Sequence, residues 1–426
     1  MNKRLLALAV LTAALTGPAL AADPIKILFV GNSYTFGRVD PVLSYNAAAV
    51  HDLTAGFNAI NPAGTNSYPM GTVGQGSFEP HPWGGVPGIF KKMTDEAGMS
   101  YDVSLSTRNA ASLRGQFLDT ANADWKLREN VATQKWDTVV LQEQSDAALP
   151  AGKGKNANLA TFNAYANQFE KFIHNGAAQS YKETDLFGSL AACMATGLSS
   201  GSCNTTRNIA ANTNASAATK VYLEESWARP DMVEAHKITT PDLTSSDGRP
   251  IVDTSAAGGN ATLYYNSLAG MTTDLHNSFF NRAATNPGFA GVVPVGDAFQ
   301  LAVDQGLAQG NSFYGADGTF VEGATGQLNL WWLDRTHANK YGSYLSALTL
   351  FGSITGVDPL TLGATEQAAI DLGIDANTAL ALQHVASQQL GFSSAVPEPQ
   401  SLALLLAGLG LIALRTGKRR GDALAR

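Results

Sequence analysis

Two short stretches hold the residues best able to do chemistry. The first reads Ile27-Leu28-Phe29-Val30-Gly31-Asn32-Ser33-Tyr34-Thr35. A serine just after an apolar strand, with a glycine two residues before it, presents its Oγ at a turn where a helix N-terminus can stabilise developing negative charge. The second reads Asp334-Arg335-Thr336-His337 and precedes a strongly helical stretch over 341–351. One short loop can there supply both a base and the carboxylate that orients it. Each stretch also has an ordinary reading. Gly-Asn-Ser is a common turn, Asp334 could cap a helix, and His337 could be a surface side chain.

Other motifs have less behind them. A Gly-x-Ser-x-Gly match spans Gly197 to Gly201, but Ser199 is followed by polar residues 204–208 rather than by an apolar helix, so the strand-turn-helix of a nucleophile elbow is missing. His51, His81, His174, His236, His276 and His384 show no metal-ligand spacing, and no phosphate-cradling Gly-x-x-x-x-Gly-Lys-Ser/Thr loop is present. Neither a cofactor nor a metal is expected. Cys193 and Cys203 are the only cysteines and lie close together in a Gly- and Ser-rich stretch. In an oxidising compartment they are expected to form a local disulfide.

The elements that must position Ser33, Asp334 and His337 follow from the apolar pattern. Strands are expected over 25–30, 101–106, 136–141, 220–224 and 291–295, separated by helical stretches such as 89–97. Strands joined by helices rather than hairpins argue for an α/β protein with a parallel sheet of about five strands, covered on both faces. Ligand sites in such sheets lie beyond the carboxyl ends of the strands. Ser33 follows the first strand, Ser112 the second and Gln142 the third, so all three open onto one edge.

Both ends of the chain read as signals. Lys3 and Arg4 precede an apolar run over 5–15 that closes on Ala19-Leu20-Ala21, the pattern of a cleaved export signal with the mature chain starting near Ala22 or Asp23. Near the other end, Val396-Pro397-Glu398-Pro399 is followed by apolar residues 402–414 and then Arg415, Lys418, Arg419 and Arg420. A short apolar helix with a basic stop is retained in a membrane with its basic end on the cytoplasmic side. This tripartite tail resembles the PEP-CTERM sorting signal, which implies a dedicated processing enzyme as a partner; an ordinary single-pass anchor is the alternative. Either reading places residues 23–392 outside the cytoplasm, in the cell envelope or beyond.

Composition agrees with an exported globular chain. Its 426 residues are 45% hydrophobic and 15% charged, with 28 basic against 35 acidic side chains. Removing Lys3, Arg4 and the net +4 of residues 415–426 takes the formal charge from −7 to −13. Nucleic acid is therefore not an expected partner.

Taken together, residues 27–35 resemble the first motif block of the SGNH/GDSL hydrolases in its Gly-Asn-Ser variant. Residues 334–337 resemble the last block, Asp-x-x-His, with Asn339, Gly342 and Tyr344 trailing it. The resemblance extends over roughly 25–357 and implies a three-layer α/β/α, flavodoxin-like fold and a Ser33-His337-Asp334 triad. It also implies an oxyanion hole formed by the Ser33 N–H, a backbone N–H after the second strand and an amide side chain after the third. The second block here, Asn109-Ala110-Ala111-Ser112-Leu113, lacks the usual glycine, which leaves Ala111 or Ser112 as the donor. The third block ends Leu141-Gln142-Glu143-Gln144-Ser145, and its amide would come from Gln142, with Gln144 second.

The expected organisation is a signal peptide over 1–22 and a catalytic domain over 23–360 with insertions at 39–87 and 147–218. A helical segment over 361–392 and the sorting tail over 393–426 complete it. Tyr68, Phe78, Trp83 and Phe90 could wall the site for an apolar group or a sugar. The expected activity is a serine esterase acting on an acyl ester, most readily an acetyl group on a surface polysaccharide. A lipid esterase and a noncatalytic glycan-binding protein on the same fold are the alternatives.

Overall fold

In the computed structural model the described residues are 23–38, 40–57, 82–120, 123–237, 243–244, 250–251, 259–316, 321 and 326–392. The expected export signal, the sorting tail, Tyr68 and Phe78 lie outside them. Among the described residues no helix is long and apolar enough to cross a membrane.

Six parallel strands form the main sheet: β1 (Ile25–Gly31), β2 (His51–Asp52), β3 (Tyr101–Thr107), β4 (Thr138–Gln142), β5 (Lys220–Glu224) and β6 (Phe289–Val293). Their spatial order is β6-β5-β4-β1-β3-β2. The centre of the sheet is the most apolar strand. Ile27, Leu28, Phe29 and Val30 are each at most 1% exposed. Since successive strand residues point to opposite faces, both faces of β1 are covered. Full burial of each such side chain contributes about 1.5–3 kcal/mol.

The covering helices fall into two packed groups. Helix α1 is the single turn Ser33–Phe36, and α2 (Gly85–Glu96) sets Phe90 edge-on to Phe29 at 5.5 Å. In the other group, α3 (Leu113–Leu118) and α4 (Leu159–His174) meet through Phe117, whose ring lies 5.0 Å from that of Phe169. Toward the C-terminus come α5 (Leu268–Ala284), α6 (Val295–Asp304), α7 (Lys340–Thr355) and α8 (Ala376–Gln389). Residues 342–352 of α7 are buried without a break, so this helix is enclosed all round, and α8 packs along it.

Several boundaries differ from the sequence expectation. The third expected strand starts at Thr138 rather than Trp136, because the Asp137 N–H bonds the Lys26 carbonyl and its carboxylate takes the Lys26 N–H, which makes it the lead-in to the ladder. The fifth ends at Val293, since Pro294 opens α6 and removes an N–H from any continued ladder. A sixth strand, His51–Asp52, sits on the edge beside β3; two residues show no alternation to read.

The stretch 147–218, expected as a loop insertion, contains α4, three short helices, and a two-stranded antiparallel sheet pairing Gln179–Lys182 with Thr206–Ile209. Cys193 and Cys203 are bonded within it. Ser199 caps one of its short helices, accepting the Ser202 N–H at 3.1 Å. Trp83 and Phe90 are not an open wall: both are fully buried, Trp83 stacked on Phe36 at 4.0 Å.

Candidate active site

The turn after β1 is shaped by Asn32 and Gly31. Asn32 Oδ1 accepts the Tyr34 N–H, its carbonyl accepts those of Thr35 and Phe36, and its Nδ2 donates to the Ala111 carbonyl at 3.1 Å. A Cβ on Gly31 would lie 2.0 Å from Thr35 Oγ1 and 3.1 Å from Gln142 Oε1, so only glycine fits beneath the turn. The hydrogen bonds of this turn engage the N–H groups of Asn32, Tyr34, Thr35, Phe36 and Gly37. The Ser33 N–H is not among them. It lies at the start of α1, beside its own Oγ.

The second chemical stretch is held equally firmly. Asp334 Oδ1 accepts the N–H groups of Thr336 and His337, and the Trp332 N–H bonds the His337 carbonyl at 2.7 Å. Arg335 turns the loop with a φ of 60° and lays its guanidinium over the Tyr314 ring at 5.0 Å. Asn339 accepts the first N–H groups of α7 and donates to the carbonyls of Asn329 and Trp331, which fixes where the helix starts relative to the loop.

These two loops meet across 304 residues of sequence. His337 Nε2 lies 2.6 Å from Ser33 Oγ, and His337 Nδ1 lies 2.5 Å from Asp334 Oδ2. Burial would raise the Asp334 carboxyl, but the charge and hydrogen bond of His337, with Arg38 beyond, hold it well below the usual carboxylate range. It is therefore an ionised acceptor for the Nδ1 proton, which leaves Nε2 to face the serine. Tyr34 packs edge-on to the imidazole at 5.6 Å and stacks on Trp227 at 3.9 Å. Trp227 in turn donates its Nε1–H to the Thr336 carbonyl at 3.0 Å.

The expected donors of the second and third blocks are placed differently from one another. The Ala111 N–H closes a turn onto the Arg108 carbonyl. Ser112 caps α3, its Oγ accepting the Gly115 N–H at 3.1 Å. Gln142 accepts the Asn32 N–H on Oε1 at 3.2 Å and donates one N–H of Nε2 to the Glu143 carbonyl, which ties its amide to the backbone of the Ser33 turn and of the β4 end. Gln144 bonds its neighbour Ser145 through Nε2 at 3.2 Å. Glu143 was not singled out in the sequence, yet its Oε1 accepts the N–H of Leu113 at 3.0 Å and of Gln144 at 2.6 Å. Adjacent residues at the end of β4 thus brace two different blocks: Gln142 the serine turn, Glu143 the start of α3. Burial pushes the Glu143 carboxyl up to about 7.

Where glycine is absent from the second block, Ala110 nevertheless takes a φ of 55°. The backbone keeps the left-handed conformation that glycine adopts without cost, and the alanine bears the strain. Its neighbour Asn109 is 1% exposed, and its Nδ2 has no hydrogen-bond partner. The β1–β3 register runs to Gly31 opposite Thr107, and the Arg108 N–H still donates to the Gly31 carbonyl.

Comparison with known proteins adds the following. Residues 395–420 match the PEP-CTERM protein-sorting motif, which supports export to the cell envelope and a sorting partner. No curated protein matches the chain. Among solved structures, a DUF4886 family protein from Bacteroides uniformis is 12% identical with a TM-score of 0.39, covering 89% of this chain and 99% of its own. A candidate SGNH hydrolase from Slackia heliotrinireducens is 13% identical with a TM-score of 0.34, covering 78% and 100%. A phospholipase A1 from Streptomyces albidoflavus is 12% identical with a TM-score of 0.32, covering 78% and 99%.

Proposed function

We propose that this protein is an exported serine esterase on a three-layer α/β/α fold of the SGNH type, removing a short acyl group from a carbohydrate of the cell envelope. The observation that carries the reading is the continuous line from Ser33 Oγ through His337 to Asp334. In the reaction His337 Nε2 takes the Ser33 proton as Oγ attacks the ester carbonyl. Collapse of the tetrahedral adduct expels the alcohol, which receives that proton, and water then releases the acid from the acyl-enzyme by the same steps. Asp334 stabilises the imidazolium throughout.

The oxyanion needs donors already aimed at it. In this reading they are the Ser33 N–H, the Ser112 N–H and the Asn109 amide, in place of the Ala111 N–H and the Gln142 amide. Support for a short acyl group comes from the access: Ser33 and His337 are only 5% and 6% exposed. Support for an envelope carbohydrate comes from the sorting motif over 395–420.

The test is release of acetate from a short chromogenic acetate ester and from acetylated polysaccharide by the secreted chain, beside its Ser33→Ala variant. Turnover by the native protein that vanishes in the variant is expected. A folded native protein that hydrolyses neither substrate, or a variant as active as the parent, overturns the reading.

A further inference from the structure

A second group of side chains lies beyond the ends of β5 and β6. Glu225 follows β5, His276 lies within α5, and Asp297 is in the first turn of α6. One ligand atom from each lies within 4.8 Å of the others. The Asp297 N–H donates to Glu225 Oε2 at 3.0 Å, and Asp297 Oδ2 lies 2.8 Å from His276 Nδ1. The His276 ring is held flat against Phe280 at 4.0 Å.

The unusual member is Glu225. It is 1% exposed, and its Oε1 has no hydrogen-bond partner. The start of α6 presses against it so closely that a Cβ on Gly296 would lie 2.2 Å from the Ser226 carbonyl and 3.1 Å from Glu225 Cδ. A buried carboxylate oxygen with no donor, beside a second carboxylate, needs a positive charge to be stable as an anion. Asp297 and His276 are 19% and 43% exposed at the side chain, which leaves one side of the group open to solvent.

We propose that Glu225, His276 and Asp297 form a binding site for one divalent transition-metal ion of zinc's class, separate from the serine site. One imidazole with two carboxylates and an open fourth position is a zinc-type donor set, whereas calcium takes six or more oxygens. Three separate elements supply the ligands, so the ion ties the end of β5 to α5 and α6. Sequence spacing could not reveal it, because the ligands are 51 and 21 residues apart along the chain.

The experiment uses the full secreted chain, stripped with chelator and titrated with zinc alone by calorimetry, with thermal unfolding followed in parallel. One ion per chain and a Tm raised by several degrees are expected, since an ion that binds only the folded state stabilises it. His276→Ala and Asp297→Asn, both at partly exposed positions, are each expected to weaken that site by about tenfold or more and to remove the Tm shift. Absence of binding by the native chain, or binding and a Tm shift that persist unchanged in both variants, overturns the proposal. Neither readout depends on ester hydrolysis, so failure here is distinct from failure of the esterase reading.

Discussion

The turns after β1 and β4 stand side by side on one sheet edge and do opposite things with their polar groups. After β1, the Ser33 N–H and Oγ are kept out of the turn's own hydrogen bonds, and Oγ faces His337. After β4, the side chains of Gln142 and Glu143 are consumed by neighbouring backbone. A residue type able to do chemistry is thus not sufficient. What separates the two turns is whether their donors and acceptors are already engaged by neighbouring backbone.

Under the esterase proposal, that contrast is broken most severely at the Ser33 turn. Ser33→Ala and His337→Ala should each lower kcat for ester hydrolysis by about 10⁴-fold or more, without loss of fold by circular dichroism. Asp334→Asn keeps the shape of the loop but removes the charge that fixes the imidazole, and should cost on the order of 10³–10⁴ in kcat. Asn109→Ala tests whether an unspent amide acts as an oxyanion donor; a loss of about 10²–10³ in kcat with little change in KM is expected. A bracing residue should behave differently. Gln142→Ala should cost a smaller factor and lower Tm as well, because the Asn32 N–H loses its acceptor.

Much of this contrast was legible in the sequence, though unevenly. Ser33, Asp334 and His337 could be found because each lies at a junction that apolar patterning marks, and the resemblance of both blocks supplied their pairing. The choice among candidate oxyanion donors is less legible. Gln142 and Asn109 offer the same amide, and what tells them apart is that Gln142 is bonded to the backbone of Asn32 and Glu143 while Asn109 Nδ2 has no partner. The left-handed backbone at Ala110 likewise carries no mark in the sequence. Main-strand positions were readable from apolar runs, whereas the edge strand of His51 and Asp52 was too short to carry a period.

Two smaller effects sharpen the picture. Glu224, paired in register with Gln142, is fully buried, and burial pushes its carboxyl up to about 8. Its folded pKa lies above the ordinary carboxyl value of 4.5, so its contribution is complete below about 4.5 and is lost as pH rises toward 8. Glu224→Gln should therefore flatten the decline in stability over that window, by on the order of a few kcal/mol at its alkaline end, as measured by urea unfolding at several pH values. Ala110→Gly relieves a strained φ and should raise stability by about 0.5–1 kcal/mol with hydrolysis unchanged; a loss of stability would mean that the alanine side chain contributes packing that outweighs the strain.

The ring stack beside the serine has an optical consequence. Trp227 lies between Tyr34 at 3.9 Å and Phe299 at 4.9 Å, with its indole N–H bonded to the carbonyl of Thr336. Its excited state therefore senses the nucleophile turn on one side, α6 on the other and the histidine loop at its polar end. Acylation of Ser33 and metal binding near Asp297, if both proposals hold, would reach the same chromophore, so one buried indole would respond at two sites that share no ligand.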